Sequence, residues 1–112
     1  MARSARQLAR RLAVSAVERL YSLAVEAARR GELELARELV ARADEVRRTF
    51  KLRKPLFLRR GVCRNCGVPL VAGVTASYRL RRDGRVTRLV VTCLVCGYKH
   101  RYILRVRRGG RG

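Results

Sequence analysis

Four cysteines in two matched pairs constrain this chain more than any other feature. They read Cys63-Arg64-Asn65-Cys66-Gly67 and Cys93-Leu94-Val95-Cys96-Gly97, with 26 residues between the pairs. A two-residue gap lets one tight turn aim both thiolates at a single tetrahedral metal, and the glycine that follows permits the left-handed backbone closing the turn. A lone Cys-x-x-Cys could be a redox pair, but such pairs usually follow a βαβ pattern that this sequence lacks. Disulfides need an oxidising compartment. The N-terminus has no secretory apolar run and no stretch long enough to span a bilayer, so a cytoplasmic chain without a membrane partner is expected. In that compartment Cys63, Cys66, Cys93 and Cys96 predict one structural Zn2+, with no coordination position left open for catalysis.

Between and after the pairs, the hydropathy pattern has period two. Val74, Ala76, Tyr78 and Leu80 alternate with Thr75, Ser77, Arg79 and Arg81. Asp83-Gly84 is a two-residue hairpin signal, and Val86 to Thr92 is the expected return strand. Tyr102, Leu104 and Val106 alternate with Arg101, Ile103, Arg105 and Arg107, predicting a third strand. Two knuckles around a hairpin form a zinc ribbon.

The first half is helical. From about Ser4, a candidate cap, to Arg30, an apolar stripe runs through Leu8, Leu12, Ala16, Leu20 and Ala24, broadened by Ala13, Val17, Leu23 and Ala27. Gly31 stops this helix. A second, from about Glu32 to Thr49, carries Leu35, Ala36, Leu39, Val40, Ala43, Val46 and Phe50 on one face. So short a connection makes the two an antiparallel hairpin. Their apolar faces are too wide for one hairpin, so a protein partner is expected over Val17, Leu20, Leu23, Leu35 and Leu39. The fold class is therefore α+β: a helical hairpin over 1–50, a basic linker over 51–61, a zinc ribbon with a three-stranded antiparallel sheet over 62–108, and a disordered tail over 109–112. Pro55 predicts extended backbone at Lys54.

Charge is distributed unevenly over these parts. Residues 1–50 hold 11 basic and 7 acidic side chains, whereas residues 51–112 hold 17 basic ones and a single acid, Asp83. The second half repels itself unless it meets a polyanion. Of the 28 basic residues only Lys51, Lys54 and Lys99 are lysines, and the planar guanidinium matches phosphate and stacks on bases. Arg101, Arg105 and Arg107 share a parity, as do Arg79 and Arg81, so a basic strip is expected across the sheet. Tyr78, Tyr98 and Tyr102 add rings. His100, the only histidine, reads as a surface strand residue, and Asp44-Glu45 as a solvated helix end. Charge alone leaves RNA, DNA and the ribosome open.

Taken in order, these segments resemble a known family, the archaeal ribonuclease P protein component 4 group of Rpr2/Snm1-type zinc-ribbon proteins. The resemblance covers about residues 5–104. It runs through Ala16-Val17-Glu18-Arg19-Leu20, Leu35-Ala36-Arg37-Glu38-Leu39-Val40, Leu58-Arg59-Arg60, both knuckles, Leu70-Val71-Ala72-Gly73, Arg79-Leu80-Arg81 and Arg101-Tyr102. Ala72 and Ile103 stand where the family usually has proline. The resemblance implies an RNA-binding, non-catalytic subunit of the endonuclease whose RNA removes the 5′ leader of precursor tRNA. It implies pairing of the helices with a β-barrel subunit, component 1, and support of the specificity domain of the RNA. It carries the four cysteines to zinc. By position it suggests Arg47, Arg48, Lys51, Arg53, Lys54, Arg59, Arg60, Arg64, Arg79, Arg81 and Arg101 as RNA contacts. The competing class is a zinc-ribbon protein that binds DNA or the ribosome.

Overall fold

The computed structural model describes residues 2–106, so the tail expected at 109–112, together with Arg107 and Arg108, lies outside the described residues. Helix α1 spans Ala2–Arg29 and α2 spans Leu33–Thr49. Because α1 is already helical at Ala2, Ser4 lies in its first turns and does not cap it. Gly31, at φ 81°, ends it. The Gly31 N–H donates to the Ala28 carbonyl and the Glu32 N–H to the Ala27 carbonyl, the paired bonds of a Schellman stop. No helix among the described residues is long and apolar enough to cross a membrane.

The two helices return antiparallel: Ala27 and Ala28 meet Ala36, and Val17 meets Ala43 farther along. The inward seam consists of small residues, Ala13, Val17, Ala24, Ala27 and Ala28 against Ala36, Val40 and Ala43. Leucines of the predicted stripe sit outside it, with Leu8 56% and Leu12 62% exposed. Helical periodicity marks a broad apolar sector but not which edge of it faces inward. Here the alanine edge does, and the leucines flank the seam. Val17 must be removed from the expected partner surface, because it is 3% exposed and packs on Ala43 and Leu58 of its own chain.

The linker folds. After Pro55 (ψ 160°) a short helix, α3, spans Leu56–Arg60 and buries Leu58 against Val17 and Ala43. Five residues are too few to show a period, so the pattern alone reads as extended chain. The Tyr21 hydroxyl donates to the Gly61 carbonyl at 2.9 Å, and its ring meets Phe57 at 4.9 Å, tying α1 to the entrance of the ribbon.

The sheet is antiparallel in the order β1 (Ala76–Asp83), β2 (Val86–Cys93), β3 (Lys99–Val106). Strand β1 starts two residues later than the alternation suggests. The Val71 carbonyl accepts the N–H groups of Val74, Thr75 and Ala76, holding Val74 in a turn, and buried Thr75 locks that turn through the Val71 N–H and the Pro69 carbonyl. Asp83 pairs with Val86, so the two-residue turn is Gly84-Arg85, one position beyond the expected one. The register of β3 shifts between Thr87 and Arg88 of β2, which pair with Arg105 and Ile103, leaving Leu104 as a bulge. A bulge reverses face parity. Arg101 and Arg105 therefore lie on opposite faces, against the shared face expected for them.

Candidate metal centre and nucleic-acid interface

Each knuckle is built the same way. The Cys63 N–H donates to Val68 O and the Gly67 N–H returns to Cys63 O; the Cys93 N–H donates to Tyr98 O and the Gly97 N–H returns to Cys93 O. Gly67 and Gly97 stand at φ 84° and 83°, which a side chain rarely adopts. The two turns face each other across the end of the sheet. Cys63 Sγ lies 3.6 Å from Cys96 Sγ, and Cys66 Sγ 3.6 Å from Cys93 Sγ. All four sulfurs fall within 4.8 Å of one another, and all four thiols are free. Tetrahedral zinc with bonds of about 2.3 Å sets its sulfurs about 3.8 Å apart, so the four residues fit a closed tetrathiolate site.

The electrostatics of the four differ. Cys63 and Cys93 are buried, and burial pushes the Cys93 thiol up to about 12 and raises that of Cys63. Cys96 is exposed; hydrogen bonds from the Asn65 side chain and then the Tyr98 N–H draw it down to about 6. Metal entry must therefore displace protons from two buried thiols. His100, expected on the surface, is 3% exposed and sits edge-on to Tyr98 at 4.7 Å. Burial first, and then the Arg64 charge, lower its pKa, so the ring is held neutral. The strand register puts His100 on the Tyr78–Val91 face, where the Tyr98 ring, next to the second knuckle, lies against it.

The sheet separates its charges. One face carries Arg79, Val90 and Arg101 in one cross-strand row and Arg81, Arg88 and Ile103 in the next. Of these, Arg81, Arg88, Val90 and Arg101, together with Lys99 and Asp83, line an open concavity of about 410 Å³, where Asp83 pairs with Arg88 at 3.2 Å. A second concavity, about 460 Å³, lies between α2, the linker and the first knuckle, and takes in Arg37, Arg48, Lys54, Arg59 and Arg64. Arginines held at fixed spacing around a concave surface suit a polyphosphate backbone.

Residues 16–97 match the family described as the RNAse P Rpr2/Rpp21/SNM1 subunit domain. The chain belongs to this family. It is 68% identical to the ribonuclease P protein component 4 of Hyperthermus butylicus, over 94% of this chain and 91% of that one. Among solved structures it resembles a chain of the cryo-EM structure of archaeal ribonuclease P with mature tRNA (TM-score 0.74, 30% identity, 85% of this chain and 78% of that chain). It also resembles the structure described as "Pfu Rpp21 structure and assignments" (TM-score 0.58, 35% identity, 79% and 94% of the two chains).

Within this Rpr2/Rpp21/SNM1 subunit domain, the arginines suggested by position fall into separate groups. Arg79, Arg81 and Arg101 share the basic sheet face, and Arg48, Lys54, Arg59 and Arg64 share the linker concavity. Arg60 lies instead over the Tyr102 ring. Arg47 is engaged internally, pairing with Asp44 at 2.8 Å and donating to Leu52 O, while Arg48 pairs with the same carboxylate at 3.2 Å. Asp44 is thus an organiser of the α2 end and not the solvated acid its position suggests. Lys51, at φ 53°, ends α2 in the left-handed region, and Arg53 follows on the exposed linker. Sequence reasoning missed three cations. Arg88 and Lys99 join the sheet face only through the strand register, and Arg37 donates from α2 to the Cys66 carbonyl at 2.9 Å.

Proposed function

We propose that the chain is a non-catalytic protein subunit of ribonuclease P that binds the RNA of that enzyme and supports removal of the 5′ leader from precursor tRNA in the cytoplasm. The observation that carries this reading is the arginine-lined face of the ribbon, in a chain 68% identical to a ribonuclease P protein component 4. The metal is one Zn2+ held by Cys63, Cys66, Cys93 and Cys96. Four thiolates saturate a tetrahedral ion, so its work is to hold the ribbon and not to activate a substrate. The chemistry then belongs to the RNA. Leu23 and Leu35, both exposed, are the centre of the surface for the component 1 β-barrel; Leu20 and Leu39 are half-buried against the chain's own core and offer only their outer edges, and exposed Leu8 and Leu12 extend the surface. The specificity domain of the RNA is the region this pair would support.

Phosphate contacts release counterions, so affinity for ribonuclease P RNA should fall steeply with salt. Arg79→Ala with Arg101→Ala should weaken binding and flatten the log–log salt slope by roughly 0.7–0.9 for each phosphate no longer neutralised. The measurement is a binding series over salt with component 1 present, followed by precursor-tRNA cleavage. Salt-independent binding, or cleavage by the protein without RNA, overturns the reading.

A further inference from the structure

The face of the sheet opposite the basic one carries an apolar, aromatic surface beside its arginines. Across the register it carries Tyr78, Val91 and His100 in one row and Leu80, Leu89 and Tyr102 in the next. Helix α3 stands over it, and between the two runs an open groove of about 450 Å³ walled by Leu56, Phe57 and Arg60 on one side and Tyr78, Leu89 and Tyr102 on the other. Its lining is almost wholly apolar, yet it stays open: Leu56 and Tyr78 are 54% and 41% exposed. The Arg60 guanidinium lies 4.9 Å above the centre of the Tyr102 ring. The Tyr102 hydroxyl, shielded from solvent, finds no hydrogen-bond partner among the described residues.

We propose that this groove takes an unstacked nucleobase from a single-stranded segment of the RNA, an inference that rests on the RNA-binding reading above. Flat apolar walls made of aromatic rings and a guanidinium plane are the surfaces on which splayed bases stack. Charge selects this occupant over an apolar segment of a protein. The wall carries a cation and no carboxylate, and the same face continues to Arg82 and Arg105, which share a cross-strand row through Thr87. The only acid of residues 51–112, Asp83, is on the other face, paired with Arg88. A base in the groove would keep its phosphates over Arg60, Arg82 and Arg105, and its edge would offer the Tyr102 hydroxyl a partner. The ribbon would then use both faces, arginine rows for backbone and the aromatic groove for a base.

The test uses the full zinc-loaded chain and ribonuclease P RNA. Tyr78→Leu keeps apolar volume but removes the ring, and should lower affinity roughly 5- to 150-fold, the loss found for one stacked base, while leaving the salt slope unchanged. Tyr78→Phe restores the ring and should recover the affinity. Zinc content and melting temperature, measured on each variant, separate the loss of stacking from the loss of the fold. Ultraviolet cross-linking should attach a nucleotide to Tyr78 or Tyr102. Wild-type affinity in Tyr78→Leu, alongside a flattened slope in Arg79→Ala/Arg101→Ala, overturns the groove proposal and leaves the RNA reading standing. If neither variant changes binding, the RNA reading itself falls. If Tyr78→Leu weakens pairing with component 1 but not with RNA, the occupant is a protein segment and the proposal is wrong.

Discussion

Cys66 meets three demands at once. Its sulfur faces Cys93, its N–H points to the Cys63 sulfur, and its carbonyl accepts the Arg37 hydrogen bond from α2. Structural zinc in small peptides contributes an apparent ~10–16 kcal/mol, comparable to the whole stability of a domain. Cys66→Ser should therefore yield protein without stoichiometric zinc and without the ribbon fold, checked by elemental analysis and circular dichroism. A zinc-free variant that melts like wild type defeats this. The pH dependence has a definite sign. Protons compete with a bound metal for the four thiolates, so a site of this kind weakens, and the stability it contributes is lost, as pH falls. Zinc retention, followed with a chelating indicator, should drop on acidification. Retention unaffected by acid would mean the thiolates are not the ligands.

Helix α3 matters because of how it is seated. Gly61 closes it, and a methyl group there would stand 2.3 Å from the Phe57 carbonyl and 2.5 Å from the Tyr21 hydroxyl. Either backbone or a ring held by its own hydrogen bond must then move. Gly61→Ala should lower stability by about 1–3 kcal/mol through overpacking, and Tyr21→Phe by about 1 kcal/mol through the missing bond to Gly61 O. Thermal melts of the zinc-loaded variants measure both. A Gly61→Ala melt equal to wild type would show that α3 is free to slide off the hairpin. The β3 bulge is the other decisive element, since it sends Arg105 to the aromatic face and leaves Arg101 on the basic one.

The molecule is long and thin, 57 × 38 × 18 Å, with a radius of gyration of 17.3 Å. A compact chain of this length would have about 13 Å. Such a shape buries little and presents much surface, which suits a part that packs between larger partners. Packing nevertheless crosses between its parts. Leu33 at the start of α2 packs on the ribbon core, and Val71 of the ribbon lies among Ala27, Ala28 and Ala36 of the hairpin. Divisions at residues 50 and 61 mark changes in composition, while the packing crosses both. Removing zinc with a chelator should accordingly reduce the helical signal together with the ribbon, in one transition. Helices that keep their full signal in the metal-free chain would show two independent units.

The cysteine spacing, the alternating strands and the stop at Gly31 were sufficient to specify a hairpin followed by a four-cysteine ribbon, because each depends on covalent neighbours a few residues apart. The same local logic picked out the four cysteines whose sulfurs lie within 4.8 Å of one another. Register and docking were not legible, since both depend on packing between segments far apart in sequence. The bulge at Leu104 changed which arginines share a face, and the alanine seam turned Val17 inward and Leu12 outward. Leu58 became core only once the hairpin offered Val17 and Ala43 to receive it. His100 and Tyr102 flank Arg101 in the sequence, as in any half-exposed strand. Only the Tyr98 ring and α3, brought over that face by tertiary packing, made one a buried neutral ring and the other a wall of the aromatic groove.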